Sequence, residues 1–233
     1  MCISATASRN MYLGGLIASV LLLKFGIKSL NKYNLFLVGS FLYVILMQLI
    51  DYLVWIDLDC KKGTNKVAGI LGSFLNYSQP FFVLLMGYLL LSKRINKNVL
   101  TLNIIYLVIF AIFLFRYYSK QEFCTKVDSA TGNLQWNWTT DKFIGVVVTG
   151  YILVLFINLL TFSDNNYMLV ATGLIFVYLV LVLFKVKNYN SVGNLWCFIT
   201  PTIVILYLLL QLAFPKFCIN KIDKKYLRNI TSM

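Results

Sequence analysis

One carboxyl lies deep in an apolar run. Asp51 sits inside the stretch 35–58, with Gln48 three residues before it and Trp55 four residues after it. On an α-helix, positions i, i+3 and i+7 share one face. An amide, a carboxyl and an indole on one stripe could bind a polar or cationic ligand, or carry a proton. A carboxyl at the centre of a bilayer costs about 2.5–3.5 kcal/mol on insertion scales, so it should face protein or water rather than lipid. Further polar residues occur in two later apolar runs: Asn76 and Gln79 in one, Trp196 and Thr200 in the other. At ~1.5 Å per helical residue, Asp51, Asn76 and Thr200 come out roughly 10, 13 and 9 Å below one surface. These depths predict a small polar cavity in one half of the membrane. Asp51 would be its anion or proton carrier, Gln48, Asn76, Gln79 and Thr200 its hydrogen-bond partners, and Trp55 and Trp196 its rim. The alternative is that the same groups bond one another and hold helices together, at about 0.6–2 kcal/mol each. The sequence leaves both readings open.

The elements that must position these residues are long apolar runs. The chain of 233 residues is 60% hydrophobic and only 12% charged. A soluble domain would be about 45–50% apolar and about 25% charged, so the class is membrane. The pattern predicts an all-α, polytopic transmembrane helical bundle of seven spans, at about 12–30, 35–58, 67–91, 99–117, 143–163, 167–186 and 194–214. Residues 1–214 form one domain, and 215–233 form a basic, polar tail. The first span is interrupted by Lys24 and Lys28, and six spans are the fallback. No small-residue cleavage site follows it, so an uncleaved helix with snorkelling lysines is expected. The third span contains Asn76-Tyr77-Ser78-Gln79-Pro80, and its proline predicts a kink.

Composition also excludes chemistry. There is no histidine, which removes Ser-His-Asp and Cys-His nucleophile systems and His-based metal sites. None of the five cysteines forms a C-x-x-C pair, so no structural zinc is expected. No cofactor is indicated. One buried acid without a second acid makes a poor acid/base system, so a lipid-acting enzyme is the weakest reading. The net charge of +13 would suggest nucleic acid in a soluble protein. Here the bases lie in short loops and the tail, so the expected partners are the lipid bilayer and anionic lipids near the tail, not nucleic acid. A ligand-binding or small transporter-like bundle, and a structural or interaction protein of a membrane, are the two leading functions.

Lys and Arg barely decide orientation: ten fall on the N-terminal side and eleven on the other. The longest loop, 118–141, holds Cys124 and the glycosylation sequon Asn137-Trp138-Thr139, and Cys60 lies in another loop of the same side. Oxidisable cysteines and a sequon favour the exoplasmic face, with the N-terminus outside and the C-terminus in the cytosol. Cys60 and Cys124 are therefore a candidate disulfide.

A composite pattern runs through most of the chain. It reads Gln48, Asp51 and Trp55, then Gln79-Pro80, then Gly193-Asn194-Leu195-Trp196-Cys197. It resembles a group of multi-pass membrane proteins of giant DNA viruses, in which Glu is the more usual acid at the position of Asp51. The resemblance implies the class, a viral origin and a host-cell or virion membrane. It carries over no activity. Retinal proteins are set aside because residues 194–214 contain no lysine, and ceramidase-like hydrolases because the chain has no His.

Overall fold

The computed structural model describes residues 4–92, 94–120, 123–129, 132–163, 168–170, 172–173, 175–177 and 192–214, with only the backbone at 29 and 192–201. The tail 215–233 and most of the expected sixth span, 167–186, lie outside the described residues.

The chain folds almost entirely into helices: α1 Ala5–Phe25, α2 Asn31–Trp55, α3 Thr64–Leu91, α4 Lys97–Ser119 and α5 Ile144–Thr161. Helical residues within Met168–Val177 form α6, and α7 is Val192–Ala213. Four of these, α2 to α5, are long and apolar enough to cross a membrane. At ~1.5 Å per residue, the 25 residues of α2 extend for about 38 Å. α7 has 22 residues and α1 has 21.

Helix ends differ from the hydropathy bounds for local reasons. α1 starts seven residues before Tyr12 because the Ser4 hydroxyl caps it, accepting from the Ala7 N–H at 3.2 Å. It stops at Phe25, so Lys24 belongs to its last turn and Lys28 to the short 3-10 turn that follows. α2 begins at Asn31 rather than at 35 and ends at Trp55, so Asp57 is a loop residue. Asp51 is then only four residues, roughly 6 Å, below the end of its helix. Pro80 lies within α3, whose helix continues on both sides.

α2 is the central helix, packed against α1, α3 and α7, while α3 also meets α4 and α5. From α1 to α5 successive helices are antiparallel, so their loops alternate between two faces. On one face Phe36 of α2 meets Phe162 at a ring separation of 5.5 Å, and Gly87 of α3 touches the same ring. Gln211 of α7 reaches this face too. It donates to Asn34 at 2.8 Å and accepts from the Ile27 N–H at 2.8 Å.

The opposite face carries a folded cap made by the α4–α5 connection. A short hairpin, β1 Lys126–Val127 with β2 Leu134–Gln135, pairs antiparallel. Its turn uses Gly132 at φ +69°, a left-handed conformation that glycine adopts without strain. A 3-10 turn, Asn137–Thr140, leads into α5.

Candidate functional site

The stripe on α2 points inward. Gln48 is fully buried, Asp51 is 4% exposed, and Trp55 is half-buried at the helix end. None of the three is without an interaction partner. They share a face by their i, i+3, i+7 spacing on α2, and Ile45, Met47, Ile50 and Val54 are buried on the same helix. The backbone places Trp196 and Thr200 in the first half of α7, at the end where Trp55 lies. Their side chains lie outside the described residues.

Residues 76–80 of α3 prove to be a junction between helices. Asn76 is half-buried. Tyr106 of α4 donates its hydroxyl to the Tyr77 carbonyl at 2.8 Å. Ser78 donates to the Phe74 carbonyl at 2.6 Å, so the 2.6 Å contact between Tyr43 of α2 and Ser78 has the Tyr43 hydroxyl as donor. Tyr151 of α5 donates to Gln79 Oε1 at 2.5 Å. Asn158 of α5 donates to the Pro80 carbonyl at 2.8 Å. Proline lacks an N–H, so the Asn76 carbonyl one turn back loses its helical donor. Side chains from neighbouring helices bond two carbonyls of this segment.

The sequence reading missed a pair of amides that completes this junction. Asn103 of α4 and Asn158 of α5 bond reciprocally, at 2.9 and 3.0 Å, and both are buried. Asn103 spends its second N–H on the Val99 carbonyl at 2.9 Å, and Asn158 spends its second on Pro80. Each is an asparagine in an otherwise apolar stretch, LNIIY and FINLL, and that isolation was the available signal.

The cap is tied down above these groups. A disulfide joins Cys60 and Cys124, with Cα atoms 6.1 Å apart. Asn65 mimics a strand edge beside it. Its Nδ2 donates to the Thr125 carbonyl at 2.9 Å, and its Oδ1 accepts from the Thr125 N–H at 2.8 Å. The Phe123 carbonyl rests on Gly69, and a Cβ on Gly72 would sit 2.8 Å from the Trp138 ring. Trp138 is buried and stacks on Trp136 at 4.2 Å. The sequon therefore lies in a packed turn: Asn137 is half-buried, and Thr139 donates its hydroxyl to the Trp136 carbonyl at 2.6 Å.

Two loop carboxylates brace the cap. Asp57 accepts from the Lys62 and Asn65 N–H groups at 3.0 and 3.1 Å, which caps the start of α3. The Lys62 bond holds its carboxyl below the usual range; burial opposes the shift, and the Asn65 and Thr64 amides reinforce it. Asp141 pairs with Lys120 at 2.6 Å and Arg116 at 3.4 Å, and accepts from the Phe143 N–H at 2.8 Å. Burial alone would raise the Asp141 carboxyl, but Lys120, the Phe143 amide and Arg116 together hold it low.

Among the described residues, no three Cys, Asp or Glu side chains gather as a metal site would require. What the described residues present is a buried carboxyl on α2 and a hydrogen-bonded junction among α3, α4 and α5. Compared with known proteins, the chain matches no family model, no curated protein and no solved structure.

Proposed function

We propose that the chain is a non-enzymatic, seven-span integral membrane protein that binds a small polar or cationic ligand around Asp51. The observation that carries this reading is a carboxyl only 4% exposed on the most enclosed helix, one turn below its end. Intramembrane acids that are placed inward rather than toward lipid mark ligand, ion or proton sites. Gln48 and Trp55 supply a hydrogen-bonding amide and an aromatic wall on the same stripe, and the backbone of α7 brings Trp196 and Thr200 to the same end. The cap would lie outside the cell or in a lumen, with the N-terminus. Its Cys60–Cys124 bridge supports that orientation, because disulfides persist in oxidising compartments. The resemblance to giant-virus membrane proteins, with a host or virion membrane as location, belongs to this proposal.

The test is accessibility. Cysteine is placed at Asp51 in a background lacking Cys2, Cys197 and Cys218, and at Leu107 on the exposed face of α4 as a control. A small, charged thiol reagent is added from the cap side. Position 51 should react and position 107 should not. Equal inertness at both would mean that no aqueous path reaches Asp51, and the binding reading would fall.

A second reading is favoured by the α3–α4–α5 junction. There the amides satisfy one another, as Asn103 and Asn158 do, and need no ligand. If Asp51 is equally committed to packing, the chain is a structural or interaction protein of its membrane. Asp51→Asn would then be nearly silent, and Asp51→Leu would destabilise by stranding polar partners.

A further inference from the structure

The face opposite the cap carries five exposed bases in two adjacent turns. Lys24, Lys28 and Lys32 lie around the α1–α2 turn; Arg94 lies between α3 and α4, and Lys97 opens α4. α2 and α3 pack side by side with their ends at this face meeting around Phe162, so the two turns are neighbours. None of the five forms an ion pair among the described residues. Lys61, Arg116 and Lys120, on the cap face, do. The sequence explains the difference. Among the described residues, the loop acids Asp57, Asp59, Asp128 and Asp141 all lie on the cap face, and none lies on the opposite side. Among the described residues the opposite face therefore carries five bases and no acid.

Two of these bases are also placed for a headgroup layer. The Lys24 ammonium lies 5.3 Å from the Phe25 ring, and that of Lys32 lies 5.1 Å from the Tyr33 ring. Phe25 is 52% exposed. Aromatic rings beside lysines at helix ends match the boundary between hydrocarbon and headgroups.

We infer that this face binds the phosphate headgroups of anionic lipids in the leaflet it touches, through the α1–α2 and α3–α4 turns. The inference rests on the membrane reading above and moves the lipid contact from the tail to the body of the bundle. An asymmetry in acids has little influence on insertion, which follows Lys and Arg. It has a large influence on a headgroup, which feels the net field.

The experiment uses the full chain reconstituted in phosphatidylcholine bilayers. Association of spin-labelled phosphatidylglycerol is compared with that of spin-labelled phosphatidylcholine. Lys24, Lys28, Lys32, Arg94 and Lys97 are changed together to Gln in one variant. In the control, Lys61, Lys62, Lys66 and Lys126 of the cap face are changed to Gln. Wild type should prefer the anionic lipid by at least about fivefold, the amount one fully engaged base contributes, and the five-site variant by less than about twofold. The control should keep the preference. High salt should abolish it in the wild type, which reads the same effect without any substitution. No preference in the wild type, or an equal loss in the control, overturns the inference. Failure of the protein to float with the vesicles would instead overturn the membrane reading itself.

Discussion

The Asn103–Asn158 pair gives the sharpest energetic prediction. Asn158→Leu removes two bonds to Asn103 and one to the Pro80 carbonyl. Side-chain bonds between membrane helices average ~0.6 and reach ~1.7 kcal/mol, so the loss should be about 2–5 kcal/mol. Asn103→Leu removes only the two shared bonds among its interhelical contacts, about 1–3 kcal/mol on the same scale. In the double variant the shared bonds can be lost only once. The two single effects should therefore exceed the double by about 1–3 kcal/mol, well outside the ~0.3–0.5 kcal/mol scatter of independent sites. Leucine suits the test because it favours helix and adds no polar group. The assay is reversible unfolding in mixed micelles by denaturing detergent, followed by circular dichroism. Additive effects would refute the reasoning, since they would mean that the two amides do not face each other and that α4 and α5 pack in another register.

Two further outcomes concern the cap. Serine at both Cys60 and Cys124 should destabilise the protein by about 2–4 kcal/mol and expose 126–135 to protease, since the bond closes a separation of 64 residues; an unchanged digestion pattern would show that Asn65 and Thr125 hold the cap alone. Acid should also loosen it, because the Asp57 and Asp141 carboxyls are held below their usual range. The stability they contribute is complete above the ordinary carboxylate pKa of about 4 and is lost as pH falls through their lower folded values. Asp141→Asn should flatten this acid limb of the melting curve, and an identical limb in that variant would remove Asp141 from the account.

Much of this arrangement could be read from the sequence, for physical reasons. A bilayer rewards long apolar runs, so α2 to α5 stand out by length alone. The stripe through Asp51 followed from helical periodicity, and the facing loops of Cys60 and Cys124 followed from counting crossings. What escaped was rotation and partnership. Hydropathy sets how deep a residue lies but not which neighbour it meets, so Gln79 gave no hint of Tyr151 on α5. Asn103 and Asn158, single amides in apolar runs, did not announce each other. The start of α1 escaped because its first turns carry Ser, Thr, Arg and Asn, and only the Ser4 cap marks it as helix. Asp57 looked like the end of a span because Leu58 continues the apolar run, yet α3 needs a carboxylate at its uncapped start. The 118–141 loop read as a connector, and its folding depends on Gly69 and Gly72, which open space for Phe123 and Trp138 on a distant helix.

The most direct test of the central claim, a membrane-spanning bundle with its cap outside, compares two introduced cysteines in intact cells. Lys126→Cys lies on the exposed cap hairpin, and Lys28→Cys lies in the α1–α2 turn. Cys2, Cys197 and Cys218 are first replaced by serine. Three helices, α2, α3 and α4, separate the two positions, so three crossings would put them on opposite sides of the membrane. A membrane-impermeant maleimide should label position 126 in intact cells and position 28 only after permeabilisation. The reverse pattern would invert the orientation, and labelling of both from one side would show that at least one of the three helices does not cross.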